Sequence, residues 1–139
     1  RCMLAGKDYA GAEKKFREVA DSGVKGLVLI TAWNGVGDVN LAKADEERNP
    51  ANKAPLVKTA LMAYLRSAIQ YVPDEGESWE EKAKGMAKAG HCFEMYADTS
   101  TDATQKSEYK NRARGLYNDC IAQFGSVGGW GQWASKRLR

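Results

Sequence analysis

Apolar residues along this chain recur at three- and four-residue spacing, in segments broken by Pro, Gly and cap-rich turns, and nothing alternates with the period of two that a strand requires. The pattern predicts six helices. The first runs from about Met3 to Asp21, with Tyr9, Ala12, Phe16, Val19 and Ala20 on one face and Lys14, Lys15 and Glu18 opposite, and stops near Gly23. The second covers about Val24 to Glu47, apolar at its start (Leu27, Val28, Leu29, Ile30) and carrying Gly35 and Gly37. Each glycine costs about 1 kcal/mol relative to Ala, so a neighbouring helix is expected to come close there.

Residues 48–53 read as a loop, and Pro55 suits the first turn of the third helix. Leu56, Ala60, Leu61, Tyr64, Leu65, Ala68 and Ile69 form its apolar stripe, Lys58, Arg66 and Gln70 lie away from it, and Pro73 before Asp74-Glu75-Gly76 ends it. The fourth helix runs from about Ser78 to Ala97, with Ser78 as N-cap and Glu81 as its capping-box acid. Trp79, Ala83, Met86, Ala87, Gly90 and Phe93 form the expected buried face. A cap-rich turn at residues 98–102 leads to a fifth helix through Phe124, with Ala113, Leu116, Tyr117, Cys120 and Ile121 inward. After Gly125 to Gly129, Trp130, Trp133 and Leu138 begin a sixth.

Two stretches match at an offset of 53 residues. Trp33, Val36, Gly37, Ala44 and Asp45 fall on Met86, Ala89, Gly90, Ala97 and Asp98, while Ala60, Tyr64, Gln70 and Tyr71 fall on Ala113, Tyr117, Gln123 and Phe124. A fixed register of this length is the mark of a helical repeat array. The organisation it predicts is a single domain over residues 1–139: a trailing helix (1–23), two units (24–76 and 77–129) and a leading helix (130–139). A plain four- or five-helix bundle is the alternative.

These residues resemble the tetratricopeptide repeat, a helix-turn-helix unit that stacks into a right-handed superhelix. Gly6-Lys7-Asp8-Tyr9-Ala10-Gly11-Ala12 with Phe16 looks like the start of a second helix. Trp33, Val36 and Gly37 look like a first helix, followed by Ala60, Tyr64 and Pro73; Met86, Ala89, Gly90 and Phe93 are similar to the next first helix, with Ala113, Tyr117 and Cys120 as its partner. The stretch from Tyr117 to Leu138 resembles repeats common in bacterial cell-envelope assembly proteins, which leans the compartment toward the cell envelope over the cytoplasm. The units depart from the family in length, 53 residues against 34, and Asn40 stands where an aromatic is expected, so that position packs differently or is exposed. The resemblance implies an all-α fold of antiparallel hairpins stacked as a short right-handed α-solenoid.

Composition narrows the function without naming it. No apolar run approaches the roughly 20 residues of a membrane span, since Asn34 interrupts the longest, Gly26 to Val36. Arg1 in first place, followed at once by helix-like sequence, reads as an excised piece of something longer. The net charge of +3 is spread over mixed helix faces, and only Lys136-Arg137-Leu138-Arg139 is a basic cluster, so charge does not call for nucleic acid.

Catalytic and metal chemistry find little footing. His91 is the only histidine, and no nucleophile elbow, phosphate-cradling loop or HExxH helix is present. His91 and Cys92 point about 100° apart on a helix, and Cys2 and Cys120 lack CxxC spacing, so no metal and no cofactor are expected. Cys120 reads as core packing, and a Cys92–Cys120 bridge in an oxidising compartment stays open.

If the hairpins stack, the first helix of each unit lines a groove, whose candidate residues are Thr31, Asn34, Asp38 and Leu41 on one unit and Lys84, Ala87, His91 and Glu94 on the next. Such a mixed polar surface suits a peptide, though the same residues also fit solvated helix positions. The Asn and Lys pattern that clamps a C-terminal carboxylate in some family members is not reproduced. The expected function is a noncatalytic scaffold that holds a protein or peptide segment. The alternatives are a helical enzyme accessory domain centred on His91 with Asp38 and Glu94, and a helical-repeat nucleic-acid binder. Trp130 and Trp133, if exposed, predict self-association.

Overall fold

A computed structural model describes residues 8–125 and 127–138. The expected start at Met3, together with Cys2, Gly6 and Lys7, lies outside the described residues. Six helices make up the described chain: α1 (Tyr9–Asp21), α2 (Leu27–Glu46), α3 (Pro50–Leu65), α4 (Glu80–Thr99), α5 (Ala103–Phe124) and α6 (Trp130–Arg137). None of them is long and apolar enough to cross a membrane. Side chains that accept from the first free N–H groups start three of them: Asp8 accepts from Gly11 N, Asn49 from Ala51 N and Asp102 from Thr104 N, each at 3.0 Å.

Several boundaries move from their expected places. Helix α3 starts at Pro50, not Pro55, because Asn49 caps it there and Pro50 fills the first position. Pro55 then lies inside the helix, on its exposed side, where the lost N–H leaves the Ala51 carbonyl to solvent. The capping box on α4 does not form. Its N-cap is Trp79, the Ser78 hydroxyl accepts from Glu80 N at 3.1 Å, and the Glu81 carboxylate is instead engaged by Asn34. Trp79, expected in the buried face, is 42% exposed and tilts over Phe124 with ring centroids 5.9 Å apart.

Helix α3 runs on into a π-turn over Arg66–Gln70. A π-turn takes more residues per revolution than an α-turn, so it rotates everything beyond it out of the α-helical phase. Ser67 is therefore fully buried beside Ala68, while Ile69, expected in the stripe, is 68% exposed.

Each helix packs on its sequence neighbour, and α2 also touches α4 as α4 touches α6. The core forms two clusters. One joins Leu41 and Ala44 of α2 with Val57, Ala60, Leu61 and Tyr64 of α3 and Ala89, Cys92 and Met95 of α4. The other joins Ala83, Met86 and Ala87 of α4 with Ala113, Tyr117, Cys120 and Phe124 of α5 and Ala134 of α6. Cys92 and Cys120 thus belong to different clusters, and both are free thiols; the bridge between them is not made. Burial pushes them up to about 12 and about 11.

The glycines of α2 and α4 explain how closely the hairpins close. A Cβ on Gly37 would sit 2.6 Å from the Tyr64 ring, and one on Gly90 would sit 2.6 Å from the Tyr117 ring. A Cβ on Gly35 would meet the Phe16 ring of α1 at 2.5 Å. Helices α2 and α4 are both 20 residues long and begin 53 residues apart, as α3 and α5 do. Asn40 is 3% exposed and its amide donates to its own helix at Val36 O, 2.9 Å away. The corresponding Phe93 instead stacks on Tyr109 with centroids 6.2 Å apart.

Candidate functional site

The side of α2, α4 and α6 on which their charged residues meet is built around two tyrosines. Each ring is wedged against its glycine, which carries its hydroxyl to the far side of the neighbouring helix. The Tyr64 hydroxyl donates to Asp38 Oδ1 at 2.6 Å, and the other carboxylate oxygen of Asp38 accepts from Lys84 Nζ at 2.5 Å. The Tyr117 hydroxyl donates to Glu94, which also pairs with Arg137 Nε at 3.8 Å. Burial, then the adjacent carboxylate, holds the Tyr64 hydroxyl protonated well above the ordinary phenol range; Tyr117 is raised in the same direction by burial and Glu94.

His91 stands where Asp38 stands 53 residues earlier, and as a result the second tyrosine finds its acceptor one turn on, at Glu94. Arg137 Nη2 lies 3.1 Å from His91 Nδ1. A guanidinium has only donors, so Nδ1 accepts and the ring is neutral with its proton on Nε2. Burial, with Arg137 and Lys88 adding to it, pushes His91 down to about 4.

Of the eight expected groove residues, Asp38, Leu41, Lys84 and His91 border one cavity of about 370 Å³, together with Ala42, Asp45, Tyr64, Lys88 and Trp130. Glu94 borders a neighbouring cavity of about 210 Å³ with Lys110, Arg114 and Arg137. Thr31 is exposed on α2 and borders neither. Asn34 and Ala87 are 1% and 0% exposed and line no groove. The Asn34 amide is consumed internally: Nδ2 donates to Glu81 O at 2.8 Å and to Glu81 Oε2 at 2.7 Å, and Oδ1 accepts from Ser67 Oγ at 2.8 Å.

Lys88 is the residue that sequence reasoning missed. It is half-buried, its ammonium has no hydrogen-bonding or ion-pair partner among the described residues, and it lies 5.9 and 5.5 Å from the Trp130 and Trp133 ring centroids. Burial lowers its pKa; Asp38 opposes this, and Lys84 and Arg137 add to it. The signal was available in spacing, because Lys88 follows Lys84 by four residues and precedes His91 by three. Trp133 is itself half-covered, edge-on to both His91 and Tyr117 at 6.2 and 6.0 Å.

The arrangement offers a cationic donor at Lys88, an exposed carboxylate at Asp45 and aromatic walls, all fixed to helices. Its hydroxyls are protonated, its thiols are buried and its imidazole is neutral. Among the described residues no group of His, Cys, Asp and Glu is placed to share a metal ion. Set against known proteins, the chain matches no family model, no curated protein and no solved structure.

Proposed function

We propose that the chain is a noncatalytic interaction module, a single domain of antiparallel hairpins stacked as a short right-handed α-solenoid, which holds a protein or peptide segment along α2, α4 and α6. The observation that carries the reading is the twofold occurrence, at one 53-residue step, of a helix glycine pressed on a tyrosine whose hydroxyl reaches an acid on the glycine helix. Lys84 and Arg137 are separated by the same step, and each reaches back to the acid or imidazole of the preceding glycine helix. Comparable contacts made twice in succession support reading α2, α4 and α6 as one wall, in the way repeat arrays build extended binding surfaces.

A peptide suits this wall because its backbone and charged side chains can use Lys88 and Asp45, which have no hydrogen-bonding or ion-pair partners among the described residues. His91 does not favour the enzyme reading: its Nδ1 is held by a cation, and no carboxylate among the described residues orients the ring. The test is photo-crosslinking from benzoylphenylalanine placed in the intact protein at Ala42, which borders the cavity, with Arg112 on α5 as the control position. Crosslinks to one partner segment from position 42, lost on Lys88→Glu, are expected; equal capture from Arg112, or none from position 42, overturns the reading.

A further inference from the structure

Helices α1 and α3 both pack on α2, and a further cavity, of about 250 Å³, lies where the three helices meet. Arg17 of α1 borders it on one side, Trp33 and Val36 of α2 form its floor, and Lys58, Met62 and Arg66 of α3 stand along the other side. Trp33 and Asp38 are five residues apart, about 140° around the helix, so this face is separate from the wall of the proposed groove.

The rim of this cavity is cationic and its floor apolar. None of the residues that border it is an acid. Glu13, which pairs with Arg17 at 2.8 Å, borders a different cavity of mixed charge, together with Glu18 and Asp21. The side chains of Lys58 and Arg66 are exposed and have no hydrogen-bond or ion-pair partner among the described residues. Met62, between them on α3, is 56% exposed. The Arg66 and Arg17 guanidinium carbons lie 4.3 and 5.9 Å from the centre of the half-buried Trp33 ring. The packing of the hairpins does not ask for these residues: the 53-residue step that carries Gly37 and Tyr64 onto Gly90 and Tyr117 puts Met86, Asn111 and Gly115, all within helices, where Trp33, Lys58 and Met62 stand.

One sign of charge around an apolar floor is complementary to a segment that carries both carboxylates and an apolar side chain. Lys58, Met62 and Arg66 are four residues apart in turn and share one face of α3, with about 12 Å of helix between the first and the last. In an extended chain, residues two before and two after a central one point to the same side as it does and lie about 13 Å apart. We infer that this cavity is a docking site for an extended acidic segment of a partner protein, with an apolar side chain seated on Trp33 and Met62 and a carboxylate two residues to either side of it, meeting Lys58 and Arg66. Arginine can do this without leaving the indole, because its N–H groups point outward in the plane whose face rests on the ring. A nucleic acid suits the site less well, since Arg66 already lies over the ring on which a base would stack.

The test is a ¹H–¹⁵N NMR titration of the intact chain with acetyl-Glu-Ser-Leu-Ser-Glu-amide. Saturable shifts of the Trp33 indole N–H and of the Lys58, Met62 and Arg66 amides are expected, at millimolar affinity or tighter. Replacing both Glu of the peptide by Gln, or its Leu by Gly, is expected to weaken binding about tenfold, and the isomer acetyl-Glu-Glu-Leu-Ser-Ser-amide, of the same composition, is expected to bind several-fold more weakly. The double variant Lys58→Gln, Arg66→Gln alters two exposed side chains, so it is expected to keep the melting curve of the parent while binding the Glu and Gln peptides equally. No saturation, equal binding of the isomer, or a preference for the Glu peptide that survives in the double variant overturns the proposal. So does tighter binding of an oligothymidylate at the same residues, which would make the site a nucleic-acid surface, or Trp33 shifts that follow protein concentration alone, which would give the face to a second copy. None of these results bears on the groove along α2, α4 and α6.

Discussion

Placing a methyl group on Gly37 tests the packing on which the two hairpins depend. The added Cβ would lie 2.6, 2.7 and 2.9 Å from three ring atoms of Tyr64, where ordinary contact begins near 3.4 Å, so the ring has to retreat by almost an ångström. It has nowhere to go: Tyr64 is fully buried and its hydroxyl is anchored on Asp38 at 2.6 Å. Overpacking of this kind costs about 1–3 kcal/mol, against about 1 kcal/mol gained from replacing a helical glycine by alanine. Gly37→Ala is therefore expected to lose about 1 kcal/mol net, a drop of about 3 °C in Tm for a domain of this size. Gly90→Ala faces the Tyr117 ring at 2.6, 2.9 and 3.1 Å and should lose a similar amount. Gly115 is the control, because a Cβ there meets nothing within 4 Å, and Gly115→Ala should gain about 1 kcal/mol. Urea unfolding followed by circular dichroism reads all three on one scale. If Gly37→Ala and Gly90→Ala stabilise as much as Gly115→Ala, the close approach of ring and helix does not hold the hairpins together.

Four further outcomes are expected. His91 is the single imidazole, so one NMR resonance reports its titration; with its folded value near 4 and its unfolded value near 6.5, stability is full above about pH 6.5 and declines as pH falls toward 4, by about 1–2 kcal/mol after allowing for solvent, and a midpoint at 6 or above refutes this. Lys82→Met removes the ammonium that donates to the Tyr71 carbonyl beyond the π-turn and should lower the urea midpoint by about 1–2 kcal/mol equivalent, with faster amide exchange over residues 71–79; unchanged exchange there counts against it. Cys92 and Cys120, both buried, should react with Ellman's reagent only at the rate of unfolding, and immediate reaction of either places it at the surface. Asn34→Ala should cost about 2 kcal/mol, and adding Glu81→Ala should cost little more because the two share hydrogen bonds; additive losses would show that they are independent.

The helices were legible in the sequence because each carries a 3.6-residue apolar stripe that survives into the core, although α3 starts at Pro50 rather than Pro55. What escaped were the places where a long-range contact outbids a local signal. Ser78 and Glu81 have capping-box spacing, yet Asn34, 47 residues away, takes the Glu81 side chain. Ile69 has the right spacing for the α3 stripe, but the π-turn that rotates it outward has no periodic signature. Spacing from Gly37 and Gly90 places Asn34 and Ala87 on the groove, yet both are buried between helices. Spacing sets Lys88 on the same face as Lys84 and His91, but only the fold brings the two indoles over it.

The same contacts show that the two walls of the charged face are held by different interactions. Between α2 and α4 the joint is polar: Asn34 is bonded to Glu81 and to Ser67, and Lys84 to Asp38, so its geometry is directional and admits one register. Fifty-three residues on, Asn34, Ser67 and Glu81 give way to Ala87, Cys120 and Ala134, three fully buried small residues whose contact with one another is non-directional. There, among the described residues, α4 and α6 are tied by Arg137 to His91 at 3.1 Å and to Glu94 at 3.8 Å, and by Lys88 against the Trp130 and Trp133 rings. The Arg137 ties sit at the far end of α6, whereas Trp130, which borders the cavity beside Lys88, sits at its first residue. Asp38, Lys84 and Tyr64 hold the α2 wall by directional hydrogen bonds, whereas the tryptophan wall is held by packing and by the cations of Lys88 and Arg137 against its rings.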